Sequence, residues 1–96
     1  MVREPESIDI QELELDDDTA HHLERHGISN DDVLDLWLNN PLYFWNLDGR
    51  AGTHVMIGED SRGRVLYIPL LETAPGRWRP ISGWESRLAR KIYRRD

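Results

Sequence analysis

The sequence contains no cysteine. That excludes a disulfide framework and any thiolate metal site, and it fits a reducing compartment. It also lacks any apolar run long enough to span a membrane. The stretch Met1 to Asp18 has neither the basic region nor the apolar core of a secretory signal. The expectation is therefore a mature, intracellular, cytoplasmic chain. No internal repeat and no low-complexity segment is visible.

What is present suits one domain. Ninety-six residues with four Trp and a fair stock of Leu, Ile and Val supply one modest core and no more. The net charge of −6 conceals an asymmetry. Met1 to Asp48 carries 13 acidic and 2 basic residues, whereas Gly49 to Asp96 carries 5 acidic and 10 basic. Overall acidity argues against tight nonspecific nucleic-acid binding, while the basic half leaves room for a local phosphate site.

Local patterns predict an α+β domain over residues 8–96, preceded by a mobile acidic tail over 1–7. A short strand is expected at Glu12 to Leu15. Asp16-Asp17-Asp18 opens a first helix that runs to about His26, with Gly27 as its left-handed stop. Ser29-Asn30-Asp31-Asp32 has the form of a capping box for a second helix, which Asn39-Asn40-Pro41 ends. The period then changes to two. Four strands of an antiparallel β-meander are expected at Leu42 to Leu47, Thr53 to Ile57, Arg64 to Leu71 and Arg77 to Ser82. Asp48-Gly49 marks the first turn. Pro69 and Pro80 each remove a ladder donor and should lie at an edge or a bulge. Trp84 to Arg95 reads as a basic closing helix with Trp84, Leu88 and Ile92 as its apolar stripe. Trp37 and Trp45 are expected in the core. Trp78, between Arg77 and Arg79, must face away from both.

Two stretches resemble the BrnT toxin family. One runs from Leu15-Asp16 through His22 to Arg25-His26-Gly27-Ile28-Ser29. The other runs from Gly63-Arg64-Val65-Leu66 to Arg79-Pro80-Ile81-Ser82 and a basic helix ending in Tyr93. The resemblance covers Leu15 to Arg95. It implies a RelE-like fold, a ribosome-independent ribonuclease, and neutralisation by a small DNA-binding antitoxin, with DNA reached only through that partner. The chain departs from the family at Asp18, His22, Trp84 and Glu85, and in being acidic.

Ribonuclease chemistry without a metal needs groups that move protons and donors that stabilise a phosphorane. Arg64 and Arg79 match family motif positions, and the guanidinium fork suits a phosphate. They could equally be surface arginines paired with Glu59 or Glu72. His54 is the candidate acid or base, or else an exposed strand histidine. Glu85, at the predicted start of the last helix, is a second candidate base, or a first-turn acid serving the helix dipole. Arg50 and Arg62 would be peripheral RNA contacts, and Tyr93 could orient a phosphate or simply pack. Trp45, Trp78 and Trp84 are possible stacking platforms for bases. Asp18, His22 and His26 are four apart and could bind zinc, although a cap, a surface group and a helix-end group explain them equally. No cofactor is required.

Three functions follow. The first is a toxin that cleaves mRNA. The second is a catalytically weakened binding module, acting as co-repressor with a DNA-binding antitoxin. The third is an unrelated interaction domain.

Overall fold

A computed structural model describes residues 5–47 and 52–94. It is an α+β domain of three helices and one six-stranded sheet. The elements in chain order are β1 (Glu12–Leu13), α1 (Asp17–Glu24), α2 (Asn30–Leu38), β2 (Leu42–Trp45), β3 (His54–Glu59), β4 (Val65–Ala74), β5 (Arg77–Pro80), β6 (Trp84–Glu85) and α3 (Arg87–Tyr93). The sheet order is β1-β5-β4-β3-β2, with β6 paired to β4 beyond the end of β5. The expected turn at Asp48-Gly49 lies outside the described residues.

The meander is antiparallel, as its turns require. β1 instead runs parallel to β5, so the sheet is mixed. Alternation along the central strands then sorts the core into two layers. Met56, Leu66, Ile68, Leu70 and Trp78 face Leu23 of α1, Ile28, and Val33 and Leu36 of α2. Phe44, Val55, Ile57 and Val65 face Ala89 of α3. The two N-terminal helices and the C-terminal helix thus cover opposite faces.

The helix starts follow the sequence chemistry. The Asp16 carboxylate accepts from Thr19 N at 2.9 Å and caps α1. Ser29 and Asp32 form the expected reciprocal box at the start of α2, at 2.9 and 3.1 Å. Gly27 takes a φ of 69° and turns the chain between α1 and α2. α1 stops at Glu24, so His26 lies in this turn rather than on the helix.

Several expectations are corrected. The last helix begins at Arg87 with Ser86 as its cap, not at Trp84. Trp84 and Glu85 instead pair with Tyr67 and Leu66 as a short strand. The proposed stripe fails with that shift. Ala89 is the buried residue of α3, and Leu88 is 64% exposed. Trp45 is 53% exposed, while Trp78 is core. Pro69 lies within β4, which has neighbours on both sides. Its carbonyl accepts from Ile81 N, so its missing donor faces the gap between β5 and β6, where the neighbouring strand is interrupted. Gly83 lies in that gap. A methyl on it would come within 2.5 Å of Ile68 Cδ1 and 2.9 Å of Leu23 Cδ2, so a side chain here would force those two to shift.

Residues 5–7, expected in the tail, lie against the sheet. Glu6 N donates to Tyr43 O of β2 at 2.6 Å. At the far edge Gln11 N and Glu12 N both reach Gly76 O, at 2.9 and 3.1 Å. The segment 6–12 therefore crosses from the β2 edge to the β5 edge as a strap, with Ile8 and Ile10 packed on the layer that α1 and α2 also cover.

Candidate functional site

Arg64 and Arg79 do not converge. Arg64 sits just before β4, and Arg79 is paired with Leu71 seven residues further along that strand. At about 3.3 Å per residue this separates them by roughly 23 Å along the sheet. Their faces also differ. Arg64 reaches the α1–α2 turn, whereas Arg79 alternates with the buried Trp78 and leaves the sheet on the side opposite α1 and α2.

Each arginine is also engaged by carboxylates. Asp60, whose side chain is fully buried, accepts from Arg62 N at 3.0 Å, Arg64 N at 2.9 Å and Arg64 Nε at 2.7 Å. Asp32, the capping acid of α2, accepts from Arg64 Nη2 and Arg62 Nη2 at 3.0 Å each. Arg64 Nη1 donates to Gly27 O at 2.9 Å. This node joins the α1–α2 turn to the β3–β4 hairpin. Burial pushes the Asp32 carboxyl up. The hydrogen bonds from Ser29, with the charges of Arg62 and Arg64, outweigh that and hold it below the usual carboxylate range. Arg64 is thus paired with carboxylates, with Asp32 and Asp60 rather than the Glu59 or Glu72 considered for it, and Arg62, expected as a peripheral RNA contact, shares Asp32.

Arg79 makes a fork with Asp16 at 2.7 and 3.3 Å and approaches Glu14 at 3.5 Å. The Asp16 carboxyl is lowered by the Thr19 backbone hydrogen bond first and then by Arg79. Arg79 therefore secures the segment between β1 and α1.

His54 is elsewhere again. It faces the α1–α2 side at the β2 end of β3, opposite Trp45 and Leu70. Its ring lies 4.1 Å from Trp45 and meets Trp78 edge-on at 5.2 Å. Nδ1 shares a hydrogen bond of 2.9 Å with Thr53 Oγ1. Burial lowers its pKa, outweighing the opposing pull of Glu6 and Glu72.

Glu85 lies on β6, not in a helical first turn, with Arg90 at 3.9 Å. Tyr93 packs against the end of α2, its hydroxyl donating to Asn39 O and Asn40 O at 3.2 and 3.4 Å. Arg50 lies outside the described residues. Trp84 stacks on Tyr67 at 5.0 Å. Among the described residues no group of three His, Asp or Glu is placed to hold a metal ion. Asp18, His22 and His26 cannot share a helix face, because α1 ends before His26.

Two features escaped the sequence reading. One is the outer face of α3, where Arg87, Arg90 and Lys91 are exposed. Arg90 approaches Glu85, and Arg94 pairs with Glu59. Among the described residues Arg87 and Lys91 have no ion-pair partner. The basic run was visible, but which of its members would be neutralised was not. The other is a cleft of about 540 Å³ between the strap and the sheet, lined by His54, Trp78, Glu72 and Asp9 among others. It assembles residues spread over some seventy positions, and no local spacing announces it.

No family model, no curated protein and no solved structure matches the chain. No helix among the described residues is long and apolar enough to cross a membrane.

Proposed function

We propose that this domain is a BrnT-like binding module of the cytoplasm rather than a ribonuclease, serving as co-repressor with a small DNA-binding antitoxin. The observation that carries this reading is the disposition of Arg64 and Arg79. They lie on opposite faces, roughly 23 Å apart along the sheet, and each is held by carboxylates of its own chain. A phosphorane needs cationic donors aimed at one point. A proton-transfer group must lie within hydrogen-bond reach of the same substrate, and His54 is walled by Trp45 and Trp78 on the other face from Arg79.

The charge pattern supports a two-partner role. The exposed acids of α1 and α2 suit a basic segment of the antitoxin, and they would raise its association rate. Expressed alone from an inducible promoter, the protein should leave bacterial growth unchanged, and purified protein should leave mRNA intact. Growth arrest together with RNA cleavage, both abolished by a folded Arg64→Ala or Arg79→Ala variant, would restore the toxin reading.

That toxin reading draws support from one observation, the exposed Arg87 and Lys91 of α3. These could track an RNA backbone. If RNA binds there without being cut, the module reading stands with RNA as a second ligand.

A further inference from the structure

Two exposed helix faces carry opposite charge. On α2 the solvent-facing stripe is Asp31, Asp35 and Leu38, spaced four and three residues apart. Beside it, Glu24 of α1 joins Asp31 and Asp35 in lining a groove of about 780 Å³. The cation at this groove, Arg62, is engaged by Asp32. On α3 the solvent-facing stripe is Arg87 and Lys91, also four apart, with Leu88 exposed alongside. The neighbouring Arg90 approaches Glu85. Among the described residues Asp31, Asp35, Arg87 and Lys91 make no ion pair. Each helix therefore holds a like-charge pair at i,i+4, which is unfavourable on its own.

The two stripes match. Residues four apart on a helix present their side chains at one common spacing. Laid antiparallel, Asp35 meets Arg87 and Asp31 meets Lys91, with Glu24 as a further carboxylate in the groove. The same alignment brings Leu38, 76% exposed, and Leu88, 64% exposed, to one end of the contact. A parallel alignment would leave them at opposite ends. Within one molecule the stripes cannot meet, because α2 and α3 cover opposite faces of the sheet. For the same reason a two-fold pair cannot use both at once. Each copy offers one stripe to the copy above it and the other to the copy below, which is a heterologous contact.

We infer that this protein associates with itself head to tail, the Arg87 and Lys91 face of α3 in one copy docking on the Asp31 and Asp35 face of α2 in the next. This does not depend on the co-repressor reading. One helix laid on one groove buries less than the roughly 1,600 Å² of a standard interface. The assembly is therefore weak, reversible and held mainly by charge, and salt dissolves it.

The test is sedimentation equilibrium of the nuclease-treated full-length protein at low and high salt. At about 10 mM salt the average mass should rise with protein concentration toward about 1 mM and pass beyond the dimer. At about 1 M salt it should return to the monomer. Asp31→Asn with Asp35→Asn, or Arg87→Gln with Lys91→Gln, should each weaken association at least about tenfold. All four positions are exposed and lie outside the core and the helix caps, so both variants keep the fold. Mixed in equal amounts, the two variants should form a one-to-one heterodimer and stop there, since each keeps one working face. The inference is overturned if the parent stays monomeric at low salt, if its mass stops at a dimer, or if salt strengthens the association. It is equally overturned if the mixed variants do not pair, or if association is seen only before nuclease treatment, which would assign the α3 face to RNA.

Discussion

The node around Asp60 and the outer face of α3 are both rich in arginine, yet they are put to opposite uses. At the node two arginines converge on two carboxylates, one of them fully buried, and the positive charge is consumed in joining the α1–α2 turn to the β3–β4 hairpin. On α3, Arg87 and Lys91 are exposed, and among the described residues nothing neutralises them. The difference lies in what stands opposite each group. Buried paired charges are costly to break, whereas exposed ones contribute little to stability and remain available to a partner.

The sharpest way to break that contrast is Asp60→Ala. It removes one of the two carboxylates that hold Arg64, leaving Asp32, and frees the Arg62 and Arg64 backbone donors. Stability in urea unfolding should fall by about 3–5 kcal/mol. A loss below about 1 kcal/mol would mean that the node is no more than surface pairing.

Gly83→Ala tests the packing beside the node's own layer. Contact with Ile68 and Leu23 should cost about 1–3 kcal/mol through forced repacking. A thermal melt superimposable on the parent would show that this gap is looser than described.

Ser29→Ala removes one half of the α2 capping box and should cost about 1 kcal/mol. The loss should grow in combination with Arg64→Ala, because Asp32 belongs to both the cap and the node. Simple additivity in the double mutant would separate the two.

The α3 side of the comparison predicts the smallest structural effect. Arg87→Ala with Lys91→Ala should leave unfolding within about 0.5 kcal/mol of the parent. The same pair should weaken binding to a polyanion such as heparin and flatten its salt dependence. A large stability loss would place these residues among the structural charges.

Acid should act on the two sites in different pH windows. His54 has a folded pKa below its unfolded value, so the unfolded chain binds the proton more tightly. Its stability term is complete above about pH 6.5 and is lost as pH falls below that toward the folded value. Asp32 is also lowered, so its contribution holds above about pH 3.9 and disappears at greater acidity. Unfolding free energies across pH 3 to 8 should show two separate declines, and His54→Phe should remove only the upper one.

Much of the fold could be read locally. Asp16 and Ser29 with Asp32 act through bonds that span only a few residues, and they started helices where expected, while Gly27 takes the expected left-handed turn after a helix that ends at Glu24. The two-residue period gave the meander. β6 escaped because a two-residue strand has no period, and its residues looked like the first turn of α3. The candidate site was far less legible. Arg79 lies on a strand as expected and Arg64 just before one, but whether an arginine meets a phosphate or an aspartate depends on residues tens of positions away.

The amino-acid order alone determined one α+β domain, its helix caps, its strand period and its divided charge, because each rests on neighbours in the chain. Which arginines are spent on Asp32, Asp60 and Asp16, and which remain open on α3, were decided only by tertiary structure. Charge and hydrogen bonding are settled by distance in space, and the sheet brings together Asp32 with Arg64 and the strap with Trp78 across long stretches of chain.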